Sequence, residues 1–178
     1  MAYVIFDLDG TVINSDHRHS TKADGSIDLK HWFDNAKPEK IAADTLLPLA
    51  RSMQAIKAAG HFVIVCTSRC FQAADHQYLA DNGLVHDVLF SRPGYFVGPD
   101  SWEYENSYHG FVGDDRSDEI IKAEQLETFF RGRGFHCAAD ANALMFDDNL
   151  RVIDKMNAIG ITCLNAKNVN ARMRAYGT

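Results

Sequence analysis

Two carboxylates one residue apart, Asp7 and Asp9, close an apolar run in the stretch VIFDLDGTV. A carboxylate at Asp7 can attack phosphorus and form an aspartyl-phosphate. Asp9 can protonate a leaving oxygen and later activate water. Gly10 lets the chain turn so that the backbone can approach a phosphate, and Thr11 follows it as a further contact. Thr67, Ser68 and Arg69 close a second apolar run, HFVIVCT, and Asp147 and Asp148 close another, ALMF. Thr67 can donate to phosphoryl oxygens, with Ser68 beside it. Mg²⁺ takes oxygen ligands from few protein groups, which Asp7, the Asp9 carbonyl and the pair Asp147–Asp148 can supply. Lys122 is the candidate to offset the gathered negative charge. Arg69, Arg92 and Arg116 offer guanidinium groups suited to a substrate phosphate.

Acidic residues and glycine after a strand often only make turns, and Asp147–Asp148 alone reads that way. Asp7 and Asp9 together, followed by Gly-Thr, are a poor way to build only a turn. VGDDRSDE (112–119) offers a competing metal pair, Asp114 and Asp118. It follows a weak strand, SYHGFVG, and no lysine lies between Lys57 and Lys122 to serve it. The pair Asp147–Asp148 is therefore favoured.

These residues need strands to bring them together. Short apolar runs fall at Tyr3–Asp7, His61–Thr67, Val85–Ser91, Ala143–Asp147 and Ile161–Asn165. Runs apolar throughout fit strands covered on both faces, as in a parallel sheet. Helical spacing predicts helices over 41–59, 73–82, 117–131 (capped by Ser117) and 152–158, with glycines closing several of them. The alternation implies an open α/β sheet with helices on both faces, whose ligands bind beyond the carboxyl ends of the strands. Two stretches break the rhythm. Residues 14–40 are polar and include DHRHS, and residues 92–116 are rich in glycine and aromatics. Ordered loops of that length are usually functional. His17 and His19 read as solvated loop residues, and most of the aromatics read as packing groups rather than base-stacking platforms.

The 178 residues, 46% hydrophobic, suit one domain with its own core, spanning 1–178 with 14–40 as a short cap-like insertion. The net charge of −6 disfavours non-specific duplex binding. The four cysteines lack zinc-site spacing and read as reduced thiols. With no apolar stretch long enough to span a bilayer and no signal peptide, a cytoplasmic protein without membrane association is expected. No obligate protein partner is evident.

VIFDLDGTV resembles the first motif of haloacid-dehalogenase-type phosphohydrolases. TSR at Thr67–Arg69 is similar to their second motif, Lys122 to the third and FDD at Phe146–Asp148 to the fourth. The resemblance implies a Rossmann-like fold with a small cap or none, and Mg²⁺ as cofactor. The later half, through LFSRP, RSDEIIKAE and FDDNLRVIDKMNAIGITCL, is similar to the 3′-phosphatase domain of phage-type polynucleotide kinases. No phosphate-binding loop of the kinase type is present. The expected substrate is thus a nucleotide or a nucleic-acid 3′ end. A sugar or metabolite phosphatase and a catalytically silent binding module are the alternatives.

Overall fold

The computed structural model describes residues 1–20, 28–98, 100–107 and 110–177. Along the chain run β1 (Tyr3–Phe6), β2 (Ile13–Asn14), α1 (Leu29–Asp34), α2 (Pro38–Ile41), β3 (Thr45–Leu46), α3 (Pro48–Ala58), β4 (Phe62–Cys66) and α4 (Ala73–Asp81). They are followed by β5 (Val88–Phe90), β6 (Gly94–Phe96), β7 (Phe111–Gly113), α5 (Asp118–Gly132), β8 (Leu144–Asp147), α6 (Leu150–Ala158), β9 (Thr162–Asn165) and α7 (Ala166–Tyr176).

The main sheet is parallel, in the order β5-β4-β1-β8-β9. Alternate β1 residues feed opposite faces. Val4 and Phe6 join Leu49, Met53, Leu79 and Ala166 beneath α3, α4 and α7. Ile5 joins Leu126, Phe130, Val152 and Met156 beneath α5 and α6. Burial on both faces explains why the strands read as unbroken apolar runs. The Rossmann-like α/β architecture expected from the alternation is the one observed. After β1 the chain builds outward through β4 and β5, then returns to add β8 and β9 on the other side. The order therefore reverses at β1, and the crevice at its carboxyl end lies at a topological switch point.

The helix expected over 41–59 is shorter. Thr45–Leu46 pairs antiparallel with Ile13–Asn14, and α3 starts at Pro48, whose ring cannot continue a preceding helix. Ile41 is buried, but from the separate α2. The expected Ser117 cap occupies its position without a side-chain capping bond. Within 92–116, β6 and β7 pair as an antiparallel ribbon outside the main sheet.

Candidate active site

Each main-sheet strand around the switch point ends in a group of interest. Asp7 follows β1, Thr67 follows β4, and Asp147 ends β8. Lys122 reaches them from the first turns of α5, its Nζ 2.7 Å from Asp7 Oδ1 and 2.7 Å from Asp147 Oδ2. All three side chains are buried. Asp147 Oδ1 also accepts from the Asn149 amide at 2.9 Å. Oxygens of Asp7, Asp147 and Asp148 lie within 4.8 Å of one another. Gly10 makes room for that approach: at φ +71°, a Cβ there would stand 2.5 Å from Asp148 Oδ2. Lys167 of α7 lies 2.9 Å from the same Asp148 oxygen.

Burial drives the Asp7 carboxyl well above its ordinary value against the pull of Lys122, and Asp147 adds to the rise. Burial raises Asp147 in the same way, again against Lys122. Burial opposes the charge on Lys122 too, but Asp7 and Asp147 outweigh it and hold the ammonium well above its ordinary range. Three carboxylates, set against buried Lys122 and exposed Lys167, leave an excess of negative charge. An all-oxygen donor set with that excess fits a hard divalent cation such as Mg²⁺.

Asp9 sits in a second network. Arg69 Nε is 2.7 Å from Asp9 Oδ2, and Nη2 is 2.7 Å from Oδ1. Ser15 Oγ donates to Oδ1 as well. Arg69 also binds Asp75 at 2.7 Å and Asp44 at 3.0 Å, while Arg18 grips Asp44 at 2.9 and 2.7 Å. The Arg18 guanidinium carbon lies 4.4 Å from the centre of the Trp32 ring. Burial works to raise Asp9, but the charge and hydrogen bonds of Arg69, with Ser15, hold its carboxyl down to about 2.

Arg69 therefore reaches the site, with its guanidinium paired to carboxylates. Thr67 is buried there, its Oγ1 accepting from the Arg69 amide at 3.2 Å. Arg92 and Arg116 are held elsewhere. Arg92 binds Asp118 at 2.5 Å and the Asp114 carbonyl at 2.6 Å. Arg116 pairs with Asp114 and Glu124. Arg92 also donates to the Ser68 carbonyl at 3.3 Å, which ties the 92–116 segment to the loop after β4. Asp114 follows β7 of the separate ribbon, and its hydrogen bonds from Arg116 lower its carboxyl to about 2. The competing pair Asp114–Asp118 is thus spoken for by arginines, while among the described residues the cluster with ligand spacing is Asp7, Asp147 and Asp148.

Sequence reasoning passed over Ser15, Arg18, Asp44 and Asp75. Arg18, between His17 and His19, is 1% exposed and among the largest fully buried side chains. The histidines read as solvated have partners: His17 Nε2 meets the Lys40 carbonyl at 3.0 Å, and His19 packs against Trp32 at 4.8 Å. The two irregular segments pack against each other. Phe33 of α1 stacks on Phe111 at 5.3 Å and meets Phe96 at 5.4 Å, joining α1 to the β6–β7 ribbon. A small cavity beneath them is lined by Arg18, Trp32, Arg69, Gln72, Asp75 and Phe96, among others. Tyr95, Trp102 and Tyr104 remain exposed, and Tyr108 lies outside the described residues.

The fold is the one shared by haloacid dehalogenase-like hydrolases. Two solved structures share the fold. A chain of the Pnkp1/Rnl/Hen1 complex has a TM-score of 0.60 at 22% identity, over 93% of this chain and 45% of that one, so this chain spans under half its length. A haloacid dehalogenase-like hydrolase from Streptococcus pneumoniae has a TM-score of 0.57 at 12% identity, over 100% of this chain and 99% of that one. Within that class, the chain belongs to the family described as bacteriophage T5 5′-deoxynucleotidase, whose model matches residues 1–176. The 5′-deoxynucleotidase of Escherichia phage T5 is 30% identical over 94% of this chain and 68% of its own length. The chain is a phosphatase, as the spacing of its acidic residues led one to expect. Among the described residues, no helix is long and apolar enough to cross a membrane.

Proposed function

We propose that this phosphatase hydrolyses nucleoside 5′-monophosphates, deoxynucleotides foremost, with Mg²⁺ and an aspartyl-phosphate on Asp7. The observation that carries the chemistry is the convergence of Asp7, Asp147 and Asp148 within 4.8 Å, with Lys122 between the first two. The substrate class rests on family membership, and the charge of the covering loop supports it. Residues 93–113 contain Asp100, Glu103 and Glu105 and no lysine or arginine. A loop of that charge repels a polynucleotide backbone more than it repels one small phosphomonoester.

Lys122 orients the Asp7 carboxylate, which attacks phosphorus as the bond to the leaving oxygen breaks. Asp9 takes up a proton from solvent as the leaving group arrives and offsets the pull of Arg69 on its charge. It delivers that proton to the leaving oxygen while the Arg69 fork keeps the carboxyl oriented. Asp9 then takes a proton from the water that attacks the aspartyl-phosphate, releasing inorganic phosphate and restoring Asp7. Thr67 is placed to donate to the phosphoryl oxygens. Mg²⁺, held by Asp7, Asp147, Asp148 and the Asp9 carbonyl, supplies charge neutralisation on the phosphoryl group. The four cysteines are free, which suits a reducing compartment such as the cytoplasm.

The test is steady-state phosphate release from a deoxynucleoside 5′-phosphate, its 3′-phosphate isomer, the matching ribonucleotide, a 3′-phosphorylated oligonucleotide and several sugar phosphates. The highest kcat/KM is expected for the deoxynucleoside 5′-phosphate. A preference for the oligonucleotide would move the assignment to nucleic-acid 3′ ends, and a preference for a sugar phosphate would remove the nucleotide reading altogether.

A further inference from the structure

Helix α7 lies outside the five apolar runs and the catalytic motifs, yet it inserts a buried polar side chain beside the turn that follows Asp9. Asn170 is 3% exposed. Its Nδ2 donates to the Thr11 carbonyl at 2.9 Å, and its Oδ1 accepts from the Leu49 amide at 2.9 Å. Both bonds are buried, so each is expensive to leave unmade.

Helix α3 explains the second bond. Its cap position is Leu47, which has no side-chain acceptor, and its first residue is Pro48, which has no amide hydrogen. The Leu49 amide is thus an orphan of the helix start, and Asn170 caps it from 121 residues away. Anchored by that bond, the amide of Asn170 is fixed in orientation, and its donor face has one target, the Thr11 carbonyl. Among the described residues the backbone of Asp9–Gly10–Thr11 otherwise has short-range bonds, such as Gly10 N to Ile13 O at 2.8 Å and Thr11 N to Leu8 O at 3.1 Å. Arg69 holds the Asp9 side chain, and the Leu47 amide holds the next carbonyl, Val12, at 3.0 Å. The same helix sets Lys167 against Asp148.

We propose that Asn170 is a positioning residue: through the Thr11 carbonyl it fixes the turn that carries the Asp9 carbonyl and side chain. This rests on the reading of Asp7 and Asp9 as the reacting pair. Misplacing groups near the chemistry by about 1 Å can cost about a hundredfold in rate, so one anchoring bond matters more to turnover than to binding.

Asn170→Asp separates the two bonds. It keeps the acceptor for the Leu49 amide, at a helix start that favours negative charge, and loses the donor to Thr11. Asn170→Ala loses both. Activity is measured at a temperature where circular dichroism shows each variant fully folded, alongside amide exchange of residues 10–13 and of α3. For Asn170→Asp, kcat is expected to fall at least about tenfold with KM changed less than about threefold. Exchange at 10–13 should quicken by about tenfold while α3 stays protected. Unchanged exchange at 10–13, or kcat within about twofold of the parent protein in both variants, would overturn the proposal. So would failure of both variants to fold at any temperature, which would mark Asn170 as structural alone. If the parent protein releases no phosphate from any substrate, the functional reading fails, while the exchange measurement still decides whether Asn170 holds the turn.

Discussion

Arg69 holds Asp9 with two arms of its guanidinium, Nε against Oδ2 and Nη2 against Oδ1, both at 2.7 Å. A planar fork matched to a planar carboxylate fixes the direction of the acid as well as its charge. Lysine keeps the charge and cannot make the fork. Arg69→Lys is therefore expected to lower kcat by about tenfold or more through loss of Asp9 orientation, measured by phosphate release. Arg69→Ala additionally strips the arginine from Asp75 and one of two arginines from Asp44, both carboxylates being buried. It should cost about 3–5 kcal/mol in urea unfolding, the usual penalty for breaking a buried ion pair from one side.

Lys122 and Asp7 should respond to mutation in opposite ways. Asp7→Asn removes one of the carboxylates that burial penalises, so the folded protein should be at least as stable as the parent. Its turnover should vanish, because an amide is not a competent nucleophile. Lys122→Met leaves Asp7 and Asp147 facing each other without a cation, at a cost of about 3–5 kcal/mol without metal. Mg²⁺ should restore part of that stability, by about 2.7 kcal/mol at a hundredfold excess over its dissociation constant. Thermal unfolding with and without Mg²⁺ checks both. A stable Lys122→Met protein, indifferent to the metal, would falsify the charge argument.

The metal assignment separates Asp147 and Asp148 from Asp114. Chelation is expected to abolish activity, and Mg²⁺ to raise the melting temperature of the parent protein. Asp147→Asn and Asp148→Asn should each weaken that response by about tenfold in metal concentration. Asp114→Asn, on the ribbon and paired with Arg116, should leave it unchanged. A metal response lost in Asp114→Asn and retained in Asp147→Asn would reverse the assignment.

The main sheet was legible because its strands are apolar runs, and the convergence of Asp7, Thr67 and Asp147 followed from their places at the ends of those runs, whereas Lys122 joins them from helix α5. The buried network was not legible. Arg18 lies in a polar run without apolar periodicity, and nothing local marks it as the one buried member of DHRH. Its partner Asp44 comes from a segment 26 residues further on, and Asp75 joins the network only through Arg69, so only folding brings them together. Helix α7 did leave a trace. Ala166, Val169, Asn170 and Met173 fall at helical spacing, and three of them pack in the core cluster beneath it. The asparagine interrupts the stripe, and it is the residue with the special task.

Acid stability gives an independent view of Asp9. Its folded value of about 2 lies below the ordinary 3.8, so across that interval the unfolded chain binds more protons than the folded one. The stabilisation is complete above the unfolded value and is lost as pH falls through about 2. At neutral pH it amounts to about 2 kcal/mol. In metal-free buffer, the parent protein should exceed Asp9→Asn in unfolding free energy at pH 7, and the gap should narrow steadily between pH 4 and pH 2. A gap that does not depend on pH would mean that Asp9 is not held as a carboxylate.

The joined cap should control what enters the site. Phe33, Phe96 and Phe111 have ring centroids 5.3 to 5.8 Å apart, so these rings pack α1 against the β6–β7 ribbon. Aromatic pairs of this kind are worth about 0.5–1.5 kcal/mol each beyond their buried area. Phe33→Ala frees the two segments from each other without touching Asp7, Asp9 or Lys122. For a nucleoside monophosphate, whose base and sugar must fit under the cap, KM should rise by about five- to tenfold. For a compact phosphomonoester such as glycerol phosphate or a triose phosphate, which reaches only the carboxylate cluster, kcat/KM should stay within about twofold. Parallel kinetics on both substrate types separate the two effects. Equal losses on both would place the role of Phe33 in holding the catalytic body together rather than in selecting the substrate.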